Sequence, residues 1–278
     1  MCGRFSTNAN LGALLALLGV DGAGVPLAEI IGARANIAPS ESIALVVNRP
    51  VDADHPRQVE LFSWGLVPFW TKDAQRGRRP FNVRAGSLLE RPGFHSLIAR
   101  HRAVVPAAGF YEWKAAADGK KRAEKTPYFL RRADGMPMAL AAVWETYTDA
   151  ESGARTHTCA IVTTEPNAEV RAIHERMPVI LEPASLDRWL AANEVAPASL
   201  RDLLRPLPDG ALRSERLDES PRAEREPNAT SPTDAAPAAT SPTDAAPAAT
   251  SPADAAKQLG LFGAESFTPR KGSRYSRL

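Results

Sequence analysis

Cysteine is nearly absent from this chain. Of 278 residues only Cys2 and Cys159 carry thiols, so a disulfide framework is excluded and a reducing, cytoplasmic setting is expected. Neither has a C-x-x-C partner, which argues against a structural zinc site. No run of about 18 apolar residues occurs, so no transmembrane helix is expected. The stretch LGALLALLGV (11–20) is short and lacks the basic lead and the cleavage site of a signal peptide. A large charge excess is also missing, the formal net charge being +2. A protein gripping a long duplex through phosphates alone would be more basic, so any nucleic-acid contact should be local.

What is present is ample apolar material. Hydrophobic residues make up 44% of the chain, enough for one large core or two small ones. The segments 42–48, 57–65, 102–106, 109–114, 127–132, 137–148 and 156–163 have the β-branched and aromatic content of strands. Residues 8–18, 94–100, 167–175 and 183–194 read as short helices, the last with Leu186, Trp189 and Leu190 at helical spacing. Many strands with few helices between them predict an α+β fold, a strand-rich catalytic domain over 1–220 with barrel-like mixed sheets and short peripheral helices.

Composition changes abruptly near residue 221. The text TSPTDAAPAA repeats with a period of ten, and residues 228–256 contain no Leu, Ile, Val, Met or aromatic residue. Such a segment cannot bury enough apolar surface to offset chain entropy, so 221–256 is expected to be a disordered linker. Its reach is roughly 35 Å for about 40 residues, further with proline stiffening. Apolar residues return in 257–278, where Gln258, Leu259, Leu261 and Phe262 spell QLGLF. This looks like the bacterial sliding-clamp-binding pentapeptide, two leucines and a phenylalanine for an apolar pocket with a glutamine at its rim. The alternative is that these residues fold back onto the domain.

The start, MCGRF, poses a chemical question. If Met1 is removed, Cys2 carries an α-amine with a reference pKa near 7.7–8.0 beside a thiol near 8.5. An aldehyde can form an imine with that amine, and the neighbouring thiol can then close a five-membered thiazolidine. Three further residues suit such chemistry. Asn82 in RPFNVRAGS can hold a polar oxygen, or merely stabilise a turn. Glu112 in GFYEWK sits among aromatic residues that would desolvate it and raise its pKa, unless it faces outward. His174 in AIHERMPVIL, near a helix end, can shuttle protons, or be a structural histidine bonded to backbone.

Taken together, MCGRF, ANIAPS (35–40), WGLVPFW (64–70), FNVRAGS (81–87), VVPAAGFYEWK (104–114), TPYFL (126–130) and HERMPVIL (174–181) resemble, in this order, the SOS-response-associated peptidase family of abasic-site-processing proteins. The likeness spans residues 2–220. It implies a sensor of abasic sites in single-stranded DNA that forms a thiazolidine crosslink through Cys2, with no metal or organic cofactor. It implies catalytic roles for Cys2, Asn82, Glu112 and His174. It implies phosphate contacts for Arg4 and Arg84, a DNA groove lined by Asn36 and Pro39, and a stacking or wedging role for Phe69 and Trp70. Local basicity adds Arg78 and Arg79, with Lys72 and Arg76 in the same loop and Arg100 and Arg102 after a short helix. Two departures stand out: Gly86 and Ala108 replace residues that are commonly acidic in the family.

The expected partners are abasic single-stranded DNA and the sliding clamp. The expected state is a cytoplasmic monomer, nucleoid-associated when bound to DNA. Two rival readings remain at this point. An N-terminal-nucleophile amidohydrolase or glutamine amidotransferase would also begin Cys-Gly after processing. A clamp-tethered DNA-binding module would do no chemistry. A peptidase activity would use the same residues.

Overall fold

A computed structural model describes residues 2–7, 12–20, 32–48, 57–71, 79–116 and 125–221. Twelve strands run in order: β1 (Phe5–Ser6), β2 (Ser42–Val47), β3 (Gln58–Trp64), β4 (Asn82–Arg84), β5 (Arg102–Ala107), β6 (Gly109–Lys114), β7 (Thr126–Arg132), β8 (Met138–Thr148), β9 (Arg155–Thr164), β10 (Met177–Pro178), β11 (Ile180–Leu181) and β12 (Leu212–Arg216). The helices are short: α1 (Gly12–Leu17), α2 (Ala85–Glu90), α3 (His95–Arg100), α4 (Ala168–Arg171) and α5 (Leu186–Trp189). The described residues fall in one compact unit, Met1–Arg225.

The larger sheet closes on itself. Its order β9–β3–β2–β5–β8 returns to β9 through the β8–β9 pairing, giving a five-stranded barrel. The seam is parallel: β3 pairs with β9 at Thr158 and Cys159, and β4 continues the same edge against Ile161, Val162 and Thr163. A second, antiparallel sheet, β1–β6–β7–β12, adds Phe5, Phe110, Leu130 and Leu212 to the barrel's inner core. The mixed, strand-rich α+β architecture expected from the sequence is therefore present.

Side-chain alternation explains why the barrel strands read as continuous apolar runs. Leu45, Val105, Leu140 and Ile161 point inward with Phe62 and Trp64. Val46, Val104, Ala141 and Val162 point outward and are covered by Leu14, Leu18, Leu88, Leu97, Ile98 and Trp189 of the helical layer. Both faces are buried, so both carry apolar residues.

Two expectations need correction. Arg102 is not a phosphate ligand: it is buried, and its guanidinium donates to the carbonyls of Trp189 (2.6 Å), Ile98 (2.9 Å) and Ala191 (2.6 Å). It ties the ends of α3 and α5 to the barrel, satisfying carbonyls that helix termini leave unpaired. Arg100 is exposed but pairs with Glu194 at 2.6 Å. The helices expected over 167–175 and 183–194 are also shorter, reduced to α4 and to a 3₁₀ turn followed by α5.

Candidate active site

Cys2 enters the inner core immediately before β1 and is fully buried. The strand that follows is held on both sides. Phe5 lies opposite Phe110 of β6 and exchanges backbone hydrogen bonds with Ile37 (3.3 and 2.8 Å). Phe5 and Trp64 meet edge to face at 5.2 Å. This anchoring matters because a chain terminus is otherwise prone to fray.

Glu112 is the fourth residue of β6, and the strand's alternation turns it inward with Phe110. It is 3% exposed. Burial raises its carboxyl pKa above the ordinary value, while the positive charge of the chain's amino terminus and then that of His174 draw it back. Burial also raises the Cys2 thiol pKa strongly, and the Glu112 charge adds to this, against a lowering by the amino-terminal charge. The thiol is thus held protonated near neutrality, beside a carboxyl group able to exchange protons.

Asn82 opens β4, where pairing with Ile161 fixes its backbone. Its Nδ2 donates to the Cys2 carbonyl oxygen at 2.9 Å. Its Oδ1 is buried without a hydrogen-bond partner. An orphaned buried acceptor costs about 1–3 kcal/mol, and a polar ligand donating to it would recover that.

His174 follows α4, which Asn167 caps by accepting from the Val170 N–H (3.2 Å). His174 N–H returns to the Val170 carbonyl at 2.7 Å. His174 Nδ1 lies against the Arg176 backbone, 3.1 Å from its N–H and 3.2 Å from its carbonyl oxygen. The half-buried ring lies near enough to Glu112 for its charge to lower that carboxyl pKa.

Arg176 is a residue that the sequence reading missed. Its Nη1 pairs with Glu165 (2.6 Å), its Nη2 donates to the Thr163 carbonyl (2.8 Å), and its Nε is buried and unpartnered. Burial lowers its pKa, as does the neighbouring charge of exposed Arg84 at the end of β4. The Glu165 charge opposes both effects, and Arg84 lies near enough for its own charge to reach Arg176. The signal was available in HERMP, two residues beyond His174.

The remaining expected residues gather on the rim or fall elsewhere. Arg4 Nη1 donates to Asn36 Oδ1 (3.3 Å), and buried Asn36 donates onward to the Pro221 carbonyl (3.1 Å). Pro39 is half-exposed in the turn leading to β2, next to Ser40, whose N–H donates to the Trp64 carbonyl (2.8 Å). Phe69 and Trp70 follow β3 at the same end, 61% and 53% exposed, with rings edge to face at 4.9 Å. They are not core aromatics. Arg79 is exposed, with its Cβ against Gly65. Arg78 and the tail residues Gln258, Leu259, Leu261 and Phe262 lie outside the described residues. Gly86 is exposed and Ala108 donates its N–H to the Ser6 carbonyl (2.7 Å), so neither departure breaks a contact made by Cys2, Asn82, Glu112 or His174. Among the described residues no three His, Cys, Asp or Glu side chains cluster to hold a metal ion.

A buried cysteine at position 2, bonded to an asparagine and beside a glutamate that a histidine approaches, can be set against known proteins. The profile of the SOS response associated peptidase (SRAP) family matches residues 1–220. The chain belongs to the SOS response associated peptidase family. Similar SRAP relatives include the abasic site processing protein YoqW of Bacillus subtilis, 34% identical over 206 residues covering 74% of this chain and 87% of the relative. The abasic site processing protein YedK of Escherichia coli is 31% identical over 192 residues, covering 68% and 79%. A crystal structure of a Bacteroides thetaiotaomicron protein shares the SRAP fold seen here, with a TM-score of 0.66 at 24% identity over 78% of this chain and 92% of that one. No helix among the described residues is long and apolar enough to cross a membrane.

Proposed function

We propose that this SRAP chain senses abasic sites in single-stranded DNA and becomes covalently joined to them through Cys2 once Met1 is removed. The observation that carries this reading is the linked set in which Asn82 bonds Cys2, the Glu112 charge acts on the Cys2 thiol, and His174 lies near enough to act on Glu112. The relatives YoqW and YedK are abasic site processing proteins, which agrees with it.

The chemistry follows from the protonation states. With the thiol pKa raised by burial, the α-amine of Cys2 is the first nucleophile. It attacks the aldehyde carbon of the ring-opened sugar, and loss of water gives an imine. The Cys2 sulfur then adds to the imine carbon, its proton passing to the former imine nitrogen, and a thiazolidine results. The sum is aldehyde plus aminothiol giving thiazolidine plus water. Glu112, whose raised pKa lets it hold a proton at higher pH than an ordinary carboxyl, donates to the leaving oxygen and relays the thiol proton to the nitrogen. His174, held by the Arg176 backbone, exchanges protons with Glu112, and the orphaned Asn82 Oδ1 accepts from the sugar hydroxyl. Arg84 and Arg176 bracket a phosphate, with Arg4 and the basic loop of Arg78 and Arg79 adding contacts. Phe69 and Trp70 stack on bases beside the lesion. A lyase-like reversal and a peptidase-like release of the leading residue use the same groups, and the chain acts as a monomer.

The test is an intact-mass measurement with and without an abasic oligonucleotide. The parent should gain the oligonucleotide's mass less one water, and Cys159→Ala should do the same. Cys2→Ala should gain nothing stable. Cys2→Ser keeps the amine but not the sulfur, so its adduct should survive only after borohydride reduction. A stable adduct on Cys2→Ala defeats the assignment. Ammonia released from glutamine, with no DNA adduct, would instead select the amidohydrolase reading.

A further inference from the structure

The register of the smaller sheet carries the active-site face outward beyond Glu112. Glu112 of β6 lies opposite Tyr128 of β7, and Tyr128 lies opposite Arg216 of β12. Directly opposed residues project to the same face, with Cβ atoms about 4.5–5.5 Å apart. This is the inward face: Phe110, Leu130 and Leu212, in the same alternation, belong to the inner core. Exposure grades along the row from buried Glu112 through half-buried Tyr128 to exposed Arg216. Two strand spacings, about 10 Å, separate its ends.

The next row on that face is Lys114 and Thr126, again directly opposed. Lys114 and Arg216 are exposed, and a cavity of about 670 Å³ at this end of the sheet is lined by Lys125, Thr126 and Arg216 together with Asp218, Glu219 and Ser220, and by Trp113, Pro127 and Leu217 of the alternate register. An aromatic ring beside the reacting centre, followed by cations at the edge of an open cavity, is the arrangement that takes a base on its face and a phosphate at its end.

We propose that Tyr128 and Arg216 form a nucleotide subsite next to the lesion, the ring of Tyr128 stacking on the neighbouring base and Arg216 pairing with its phosphate. The subsite rests on the reading of this face as the one that meets single-stranded DNA. It names positioning residues for the crosslinking reaction, distinct from Phe69 and Trp70 on the rim at the end of β3.

The experiment measures equilibrium binding of an undamaged labelled single strand at several salt concentrations, together with adduct formation on 2-deoxyribose, an aldehyde with neither base nor phosphate. Arg216→Ala should lower the slope of log affinity against log salt by about 0.7, the increment of one single-strand phosphate contact. Tyr128→Leu should weaken binding at least about fivefold, the low end of base–aromatic stacking, while Tyr128→Phe binds like the parent. Both variants should form the small-aldehyde adduct at the parent's rate, which a general folding defect would not allow. Unchanged affinity and salt slope in Arg216→Ala and Tyr128→Leu would overturn the subsite, as would a loss in Tyr128→Phe equal to that in Tyr128→Leu. Binding to the undamaged strand needs no crosslink, so the subsite is decided even if the parent forms no adduct; that failure would count against the proposed function alone.

Discussion

At the scale of single residues the decisive feature is the protonation of Glu112. Burial makes its carboxyl hold a proton more tightly in the folded chain than in the unfolded one, where the ordinary value is 4.5. The folded state therefore binds more protons between 4.5 and the raised value, and stability falls as pH rises through that window. Glu112→Gln removes the titration. Its thermal midpoint should decline less than the parent's as pH rises from 4.5 through the raised value, and should match or exceed the parent's above it. Its crosslinking rate should fall about 100-fold, the low end for a lost general acid–base, with the Glu112 limb gone from the pH–rate profile. Parallel pH–stability curves for the two proteins would show that Glu112 is not the group described. The gain in stability with loss of activity is the trade expected where a charge is buried for chemistry.

At the scale of elements, the smaller sheet depends on one position without a side chain. A Cβ on Gly109 would lie 2.5 Å from both the Leu130 carbonyl oxygen and the Phe129 Cζ atom. Gly109→Ala must therefore push β6 away from β7, or Phe129 out of place, at a cost of about 1–3 kcal/mol. For a domain of this size each kcal/mol lowers the thermal midpoint by about 2–4 °C. Since β6 carries Glu112, crosslinking should slow as well. Gly86→Asp is the matched control: its site is exposed, with nothing nearer than Glu90 Oε1 at 3.8 Å, and the change should stay within about 0.5 kcal/mol. Thermal melts of the two variants decide the point. Much of this layer was legible in the sequence. The long strands were readable because both faces are apolar, and Glu112 because GFYEWK alternates. What was not legible is set by distant partners. Asn82–Arg84 is a strand only because β9 offers its edge, and no local propensity marks NVR as one. The run 167–175 has a helical pattern, yet α4 stops at Arg171, where the chain turns to set His174 Nδ1 against the Arg176 N–H. Arg102 looked like part of a basic patch because its five donors and the carbonyls they satisfy lie far apart in sequence.

At the scale of the whole molecule, the folded unit and the segment beyond it have different physical tasks. The groups proposed to act on the aldehyde all lie within residues 2–176, and the Asn36–Pro221 hydrogen bond at 3.1 Å ties the end of the described chain to the rim. The repeats that follow contain nothing to pack, and we propose that they act as a tether delivering QLGLF to the sliding clamp. A tether of this length gives an effective concentration near the millimolar range once one end is engaged. It would raise the encounter rate with lesions on replicating strands without altering the chemistry. Two consequences separate this from a tail that packs on the domain. A chain ending at Arg225 should crosslink a free abasic oligonucleotide at the parent's rate and keep the parent's thermal midpoint. The full chain, but neither the shortened one nor Leu261→Ala/Phe262→Ala, should bind a purified bacterial sliding clamp in solution and crosslink faster on clamp-loaded primed DNA. A drop in thermal midpoint on truncation, with no clamp binding by the full chain, would assign Leu259, Leu261 and Phe262 to the domain's own surface instead.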